Sequence, residues 1–191
     1  MTRQLVAHDC DLAQVVVRLG VPPLWEREPG FATLVHIILE QQVSLASARA
    51  ANNRLRVALG EVTPKNLLGL SDSHMKEIGF SRQKMSYARI LAEAVLDRTL
   101  DLEALANLDD DQVRVELTRV KGIGRWTADI YLLMGLCRPD IWPIGDLALL
   151  SAVRDVKRLD HTPTHDELDL IIANWRPYRA VAARVLWHHY L

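Results

Sequence analysis

At 191 residues, with 49% hydrophobic and 25% charged side chains, the chain is long enough for a sizeable core and too apolar to be disordered. Its two cysteines, Cys10 and Cys137, exclude a disulfide framework and a four-cysteine iron–sulfur cluster. A net charge of −1 excludes a globally basic surface, so any nucleic-acid footprint has to be local. No secretory segment opens the chain and no apolar run is long enough to span a bilayer, so a cytoplasmic protein is expected.

Taken in order, the breaks fall at Val21-Pro22-Pro23, Pro29-Gly30, Gly60-Glu61, Gly69-Leu70, Gly79-Phe80 and from Arg138 to Gly145. Thr63-Pro64 predicts an N-cap with proline in the first helical position. Ser81 opens a helix carrying Met85, Tyr87, Ala88, Ile90, Leu91, Ala94 and Val95. The acidic run Asp109-Asp110-Asp111 suits the first turn of a helix whose apolar positions are Val113, Leu117 and Val120. A second helix then runs from Arg125 to Leu133, with Ala128 and Leu132 turned inward and Tyr131 a further inward position. Leu147, Leu150, Val153 and Val156 mark another helix, and Thr164-His165-Asp166-Glu167 reads as a capping box before Leu168, Leu170, Ile171 and Ile172. No clear strand alternation follows Gln14, so the expected class is all-α.

Two places carry chemistry. The first is Lys121-Gly122-Ile123-Gly124-Arg125. Glycine permits positive φ and close backbone approach, and the first N–H groups of the next helix lack internal partners. Turn and helix start together favour an anion, held by backbone without reading a base. Arg119, Lys121 and Arg125 surround this turn, while Arg82, Lys84 and Arg89, and Arg176 and Arg179, form two further basic groups that a solvated surface would also explain. The glycines would also suit a tightly packed helix corner. The second place is Pro143-Ile144-Gly145-Asp146, which sets a carboxylate at the mouth of a helix. An N-cap role worth about 1 kcal/mol would account for Asp146 by itself.

The run Leu117, Val120, Gly122, Ile123, Gly124, Ala128 resembles the helix–hairpin–helix DNA-binding motif at every consensus position. With one helix, a Gly/Pro loop and Asp146 following, the layout resembles the helix–hairpin–helix–Gly/Pro–Asp DNA glycosylases. Residues 31–48, with Glu40-Gln41-Gln42-Val43-Ser44, resemble the first core helix and turn of the 3-methyladenine DNA glycosylase II (AlkA) type, and Trp175-Arg176-Pro177-Tyr178-Arg179-Ala180 resembles that family's C-terminal block, with alanine at its serine position. Three separated blocks in the right order cover most of the chain from Phe31 onward.

The resemblance implies two helical lobes with a cleft, residues 31–129 in one and residues 1–30 plus 130–191 in the other, without an N-terminal β domain. It implies base flipping followed by excision of an alkylated purine of the 3-methyladenine or 7-methylguanine class from damaged DNA, with the enzyme acting as a monomer. Asp146 would be catalytic, Trp126 and Trp187 would line the base pocket, Gln41 would line it too or contact the opposite strand, and Gln42 would be the wedge. Core packing would equally explain the tryptophans, and a polar helix end the two glutamines. Two other family aromatic positions are Ile130 and Leu147 here. The carbonyls of Thr118, Val120 and Ile123 would hold Na⁺ or K⁺ beside a phosphate. Bifunctional relatives carry a lysine nucleophile where this chain has Trp126, and an indole forms no Schiff base, so a monofunctional enzyme is expected. No dedicated general acid is required; Glu40, near the turn, is the candidate for a second carboxylate, and an exposed helix residue would equally explain it. Other readings are a glycosylase for deaminated or oxidised bases and a non-catalytic lesion-binding module. The seven histidines show no metal-ligand spacing with carboxylates.

Overall fold

The computed structural model describes residues 1–191 and contains helices and no strands. In chain order these are α1 (Thr2–His8), α2 (Cys10–Leu19), α3 (Phe31–Glu40), α4 (Leu45–Leu59), α5 (Pro64–Leu68), α6 (Asp72–Ile78), α7 (Arg82–Leu96), α8 (Asp110–Thr118), α9 (Arg125–Ile130), α10 (Leu147–Lys157), α11 (His165–Ala173) and α12 (Arg179–Tyr190). They form two compact units: a central one of Arg27–Leu136 and a terminal one of Met1–Glu26 with Cys137–Leu191. No helix is long and apolar enough to cross a membrane.

Local sequence sets most helix starts. Side chains of Ser44, Thr63, Ser71 and Ser81 accept hydrogen bonds from N–H groups in the first turns of α4 to α7. Asp109 and Thr164 form full capping boxes with Gln112 and Glu167. Such caps satisfy donors that the helix itself cannot and contribute about 1 kcal/mol each.

In the central unit, α3 is apolar on nearly every face. Phe31, Leu34, Val35, Ile37, Ile38 and Leu39 are buried where it meets α4, α7 and α9. Burying each such side chain stabilises the fold by about 1.5–3 kcal/mol, so this helix is the core about which the others are arranged. The helix expected from Arg125 to Leu133 stays α-helical only to Ile130 and continues as a π-turn, Tyr131–Gly135. Tyr131 is fully buried there, its hydroxyl accepts the Gly30 N–H at 2.9 Å, and Gly135 lies against its ring. The Arg27 N–H donates to the Met134 carbonyl at 2.9 Å. That bond ties residue 27 to residue 134 within the central unit, which runs to Leu136.

In the terminal unit, every residue of α12 from Ala180 to Trp187 is buried, and the helix packs on α10, α2 and α1. Periodicity misplaced two leucines: Leu147 is 79% exposed and Leu170 72%. The buried stripe of α10 is Leu149, Ala152, Val153 and Val156 instead. Helices α1 and α2 carried no distinct signal. They are secured by Asp9, the N-cap of α2, whose carboxylate also accepts from Lys157 Nζ (2.8 and 2.9 Å) and Trp175 Nε1 (2.6 Å).

Burial alone would raise the Asp9 carboxyl, but the lysine and indole donors outweigh it and hold it below its usual value. Burial alone would likewise lower Lys157, and its two aspartates raise it. The Asp9 contribution is therefore present above the ordinary carboxylate range and is lost as pH falls through its lowered value. That of Lys157 is present below the ordinary lysine range and is lost only as pH rises through its raised value. We expect Asp9→Asn to cost about 1–3 kcal/mol at neutral pH and to flatten the acid limb of the stability curve, read by urea unfolding between pH 3 and 7. An unchanged acid limb would remove Asp9 from this role.

Candidate active site

The glycine turn lies in the central unit, between α8 and α9. Ile123 is buried, with its N–H donating to the Val120 carbonyl at 3.0 Å, while Lys121, Gly124 and Arg125 are exposed. Gly122 has φ +98°, and a Cβ there would overlap the ring of Tyr87 on α7. Its carbonyl accepts from Gln41 Nε2 at 2.9 Å, and the same amide donates to Thr127 Oγ1 at 3.0 Å. The turn is thus gripped by an aromatic face and a glutamine amide. Gln41 was expected to line the base pocket. Its amide nitrogen braces the hairpin against the α3–α4 turn.

Gln42 is exposed with φ +55°, at the tip of that turn. A cavity of about 550 Å³ in this unit is lined by Gln41, Gln42, Lys84, Tyr87, Gly122 and Gly124 among others. Lys84 Nζ donates to the Leu39 carbonyl at 2.7 Å, and burial lowers its pKa. Glu40 is held bidentately by Arg27 at 2.7 and 2.9 Å, with His36 Nε2 at 3.6 Å, so its side chain is engaged in an ion pair within the central unit. Burial lowers the His36 pKa, the nearby Glu40 opposes this, and Arg27 reinforces it.

Sequence reading overlooked Asp129. It is fully buried on α9 and accepts from Arg114 Nε (2.7 Å) and Arg125 Nε (3.1 Å). The i,i+4 spacing of Arg125 and Asp129 was the available signal. Arg125 is therefore oriented by a buried acid while staying half exposed. Arg119 pairs with Glu116 on the surface. Of the other basic groups, Arg89 binds Asp72 and the Leu70 carbonyl, and Arg179 binds Asp140, while Arg82 and Arg176 are exposed. Trp126 is half-buried on α9, and Ile130, at a position where an aromatic ring was implied, is core.

Asp146 belongs to the terminal unit, at the start of α10. Gly145 before it has φ +83°, a conformation that other residues adopt only with strain. The Asp146 N–H donates to the Pro143 carbonyl at 3.3 Å. Its Oδ1 accepts from the Leu149 N–H at 2.9 Å and from Trp187 Nε1 at 3.4 Å. The N-cap reading is therefore correct as far as it goes, and Trp187 adds a second donor from α12. Trp187 is 9% exposed, so its ring is largely core while its N–H edge reaches the carboxylate. Cap, indole donor and helix start hold one carboxylate in a fixed orientation.

The chain matches the model of the HhH-GPD superfamily base excision DNA repair proteins over residues 35–177. It belongs to that superfamily. The HhH-GPD relatives include the putative DNA-3-methyladenine glycosylase YfjP of Bacillus subtilis, 28% identical over 81% of this chain and 56% of its own length. Another is the alkylbase DNA glycosidase-like protein mag2 of Schizosaccharomyces pombe, 26% identical over 97% of this chain and 90% of its own. Among solved HhH-GPD structures, S. pombe 3-methyladenine DNA glycosylase Mag1 in complex with abasic DNA superposes with a TM-score of 0.89 at 27% identity, over 96% of this chain and 95% of that one. The chain thus spans about half of the Bacillus relative but nearly all of the two yeast proteins.

Proposed function

We propose that this protein is a monofunctional DNA glycosylase that flips alkylated purines of the 3-methyladenine or 7-methylguanine class out of the duplex, hydrolyses the N-glycosidic bond and leaves an abasic site for base excision repair. The observation that carries the reading is the Asp146 carboxylate, fixed by the Leu149 N–H and the Trp187 indole in a chain of this superfamily. Names of the relatives supply the substrate class.

Each part has a chemical task. Backbone N–H groups of Lys121, Gly122, Gly124 and Arg125, in the turn whose fold the Ile123–Val120 bond fixes, hold a phosphate independently of sequence. Gln42, exposed at a turn tip, fills the gap left by the extruded nucleotide. Trp126, half-buried on α9, offers an aromatic face, and a cationic alkylated base adds a cation–π contribution to stacking, while Trp187 orients the carboxylate through its N–H. As the base departs with the bonding electron pair, positive charge develops on the sugar, and Asp146 stabilises it while water adds to the anomeric carbon and loses its proton. An already cationic base is a good leaving group, so the clamping of Glu40 by Arg27 is no handicap. The carbonyls of Thr118, Val120 and Ile123 are hard oxygen donors of the class that Na⁺ or K⁺ takes, and they would hold such an ion against the phosphate. The enzyme acts as a monomer, in the compartment that holds the chromosome.

The test is release of free methylated base from alkylated DNA, with a panel of deaminated and oxidised lesions alongside. Release of methylated purine supports the reading. Release of another lesion alone reassigns the substrate, and binding without release makes the protein a lesion-recognition module. Trp126 predicts a second outcome: borohydride traps no protein–DNA adduct, because no lysine occupies that position. A trapped adduct would reinstate an amine nucleophile.

A further inference from the structure

We infer that Arg179 and Asp140 are positioning residues for Asp146, an inference that rests on the reaction proposed above. The segment from Arg138 to Asp146 crosses the terminal unit without helical structure. Six peptide steps from Asp140 to Asp146 can reach about 20 Å when extended. Arg179 and Trp187, which bond this segment from opposite ends of α12, lie about 12 Å apart along the helix. Connectivity therefore leaves slack, and the position of the carboxylate has to be set by contacts.

Helix α12 supplies them at both ends. At its start, Asp140 Oδ1 accepts from the Arg179 N–H (3.2 Å) and from Arg179 Nε (2.8 Å), and Arg179 Nη2 donates to Asp140 Oδ2 (3.0 Å) and to the Asp140 carbonyl (2.9 Å). The next residue, Ala180, donates its N–H to the Pro139 carbonyl at 3.0 Å. Near the other end, Trp187 reaches Asp146. Between the two anchors, Ile141 and Trp142 are buried, and the Trp142 ring lies 5.5 Å from that of Trp175. A guanidinium that binds one carboxylate through two nitrogens and the same residue's carbonyl fixes orientation as well as distance. The brace runs through a rigid helix to the residue that bonds Asp146, and an offset of about 1 Å at a reacting group can cost 10²-fold in rate.

The experiment uses the full chain and two readouts. Arg179→Gln should lower the single-turnover rate of base release at saturating DNA by about 10–10²-fold. It should leave affinity for abasic-site DNA within about twofold, since Arg179 already has its partner. Hydrogen exchange of the amides of residues 140–146 should accelerate in the same variant. The double exchange Asp140→Arg with Arg179→Asp should recover part of both, and Arg179→Lys, which keeps the charge but loses the fork, should fall between. If Arg179→Gln proves unstable, Asp140→Asn supplies the same readouts with the arginine retained. A parallel loss of rate and affinity would make Arg179 a phosphate contact and overturn the inference, as would unchanged rate and exchange. Should the parent protein release no base, faster exchange in Arg179→Gln sustains the positioning role while the proposed reaction falls.

Discussion

Asp146→Asn should leave a folded protein that binds DNA and releases methylated base about 10²–10³-fold more slowly. Asparagine is as good an N-cap as aspartate. Its side-chain oxygen can still accept from the Leu149 N–H and the Trp187 indole, so the scaffold around position 146 persists. What disappears is one negative charge where positive charge develops on the sugar. Losing one preorganised electrostatic group typically raises a barrier by about 3–4 kcal/mol, which sets the expected magnitude. The measurement is single-turnover base release with thermal unfolding and DNA affinity in parallel. Equal rates for parent and variant would reduce Asp146 to a helix cap. Asp146→Ala is the less informative change, since it removes the cap together with the charge.

Gly122→Ala should be the most damaging of the glycine-to-alanine changes. The residue has φ +98°, which costs a residue with a Cβ about 1–2 kcal/mol, and the new methyl would enter the Tyr87 ring. Overpacking of this kind costs about 1–3 kcal/mol more. The turn cannot shift freely to relieve the clash, because the Gly122 carbonyl is also held by Gln41. Affinity for duplex DNA should fall at least about tenfold, equivalent to about 1.4 kcal/mol, with a lowered melting temperature. Tyr87→Ala combined with Gly122→Ala should recover part of that loss, since it removes the ring but not the backbone strain. A Gly122→Ala protein that binds DNA normally would mean that the hairpin is not the clamp. Gly124 is the useful control: a Cβ there meets nothing within 4 Å and its φ is ordinary, so the same methyl should be tolerated if only space matters.

The local code for helices was largely legible because it resides in short-range chemistry. Thr63-Pro64, Ser81, Asp109 and Thr164 each cap where a capping side chain at a helix start predicts. The hairpin was legible for a similar reason, since glycines flanking one apolar residue leave few conformations open. Partners far apart in the chain were not legible. Gln41 reads as a polar helix end, and only its contact with Gly122, 81 residues away, gives it a bracing role. The pairing of Arg179 with Asp140, 39 residues apart, has no periodic signature, so a structural cation looked like a surface charge. Leu147 failed in the opposite direction: a leucine at the first position of an amphipathic helix lies outside the buried stripe, and the period alone does not say so. The family likeness supplied the order of the blocks, while the bracing contacts came from coordinates.

The terminal unit is assembled from two stretches of chain separated by the whole central unit, and its Asp9–Lys157 bridge closes 148 residues. A ribosome makes proteins from the amino end, so α1 and α2 emerge long before their partners exist. The central unit, being continuous, can collapse while still attached to the translation machinery. Helices of seven and ten residues are marginal in isolation and must wait, with the apolar faces of Leu5, Leu12 and Val15 uncovered, until α10 and α12 are made. During that interval the nascent amino-terminal segment is the part most in need of a chaperone, and slowing translation after residue 136 would prolong its exposure.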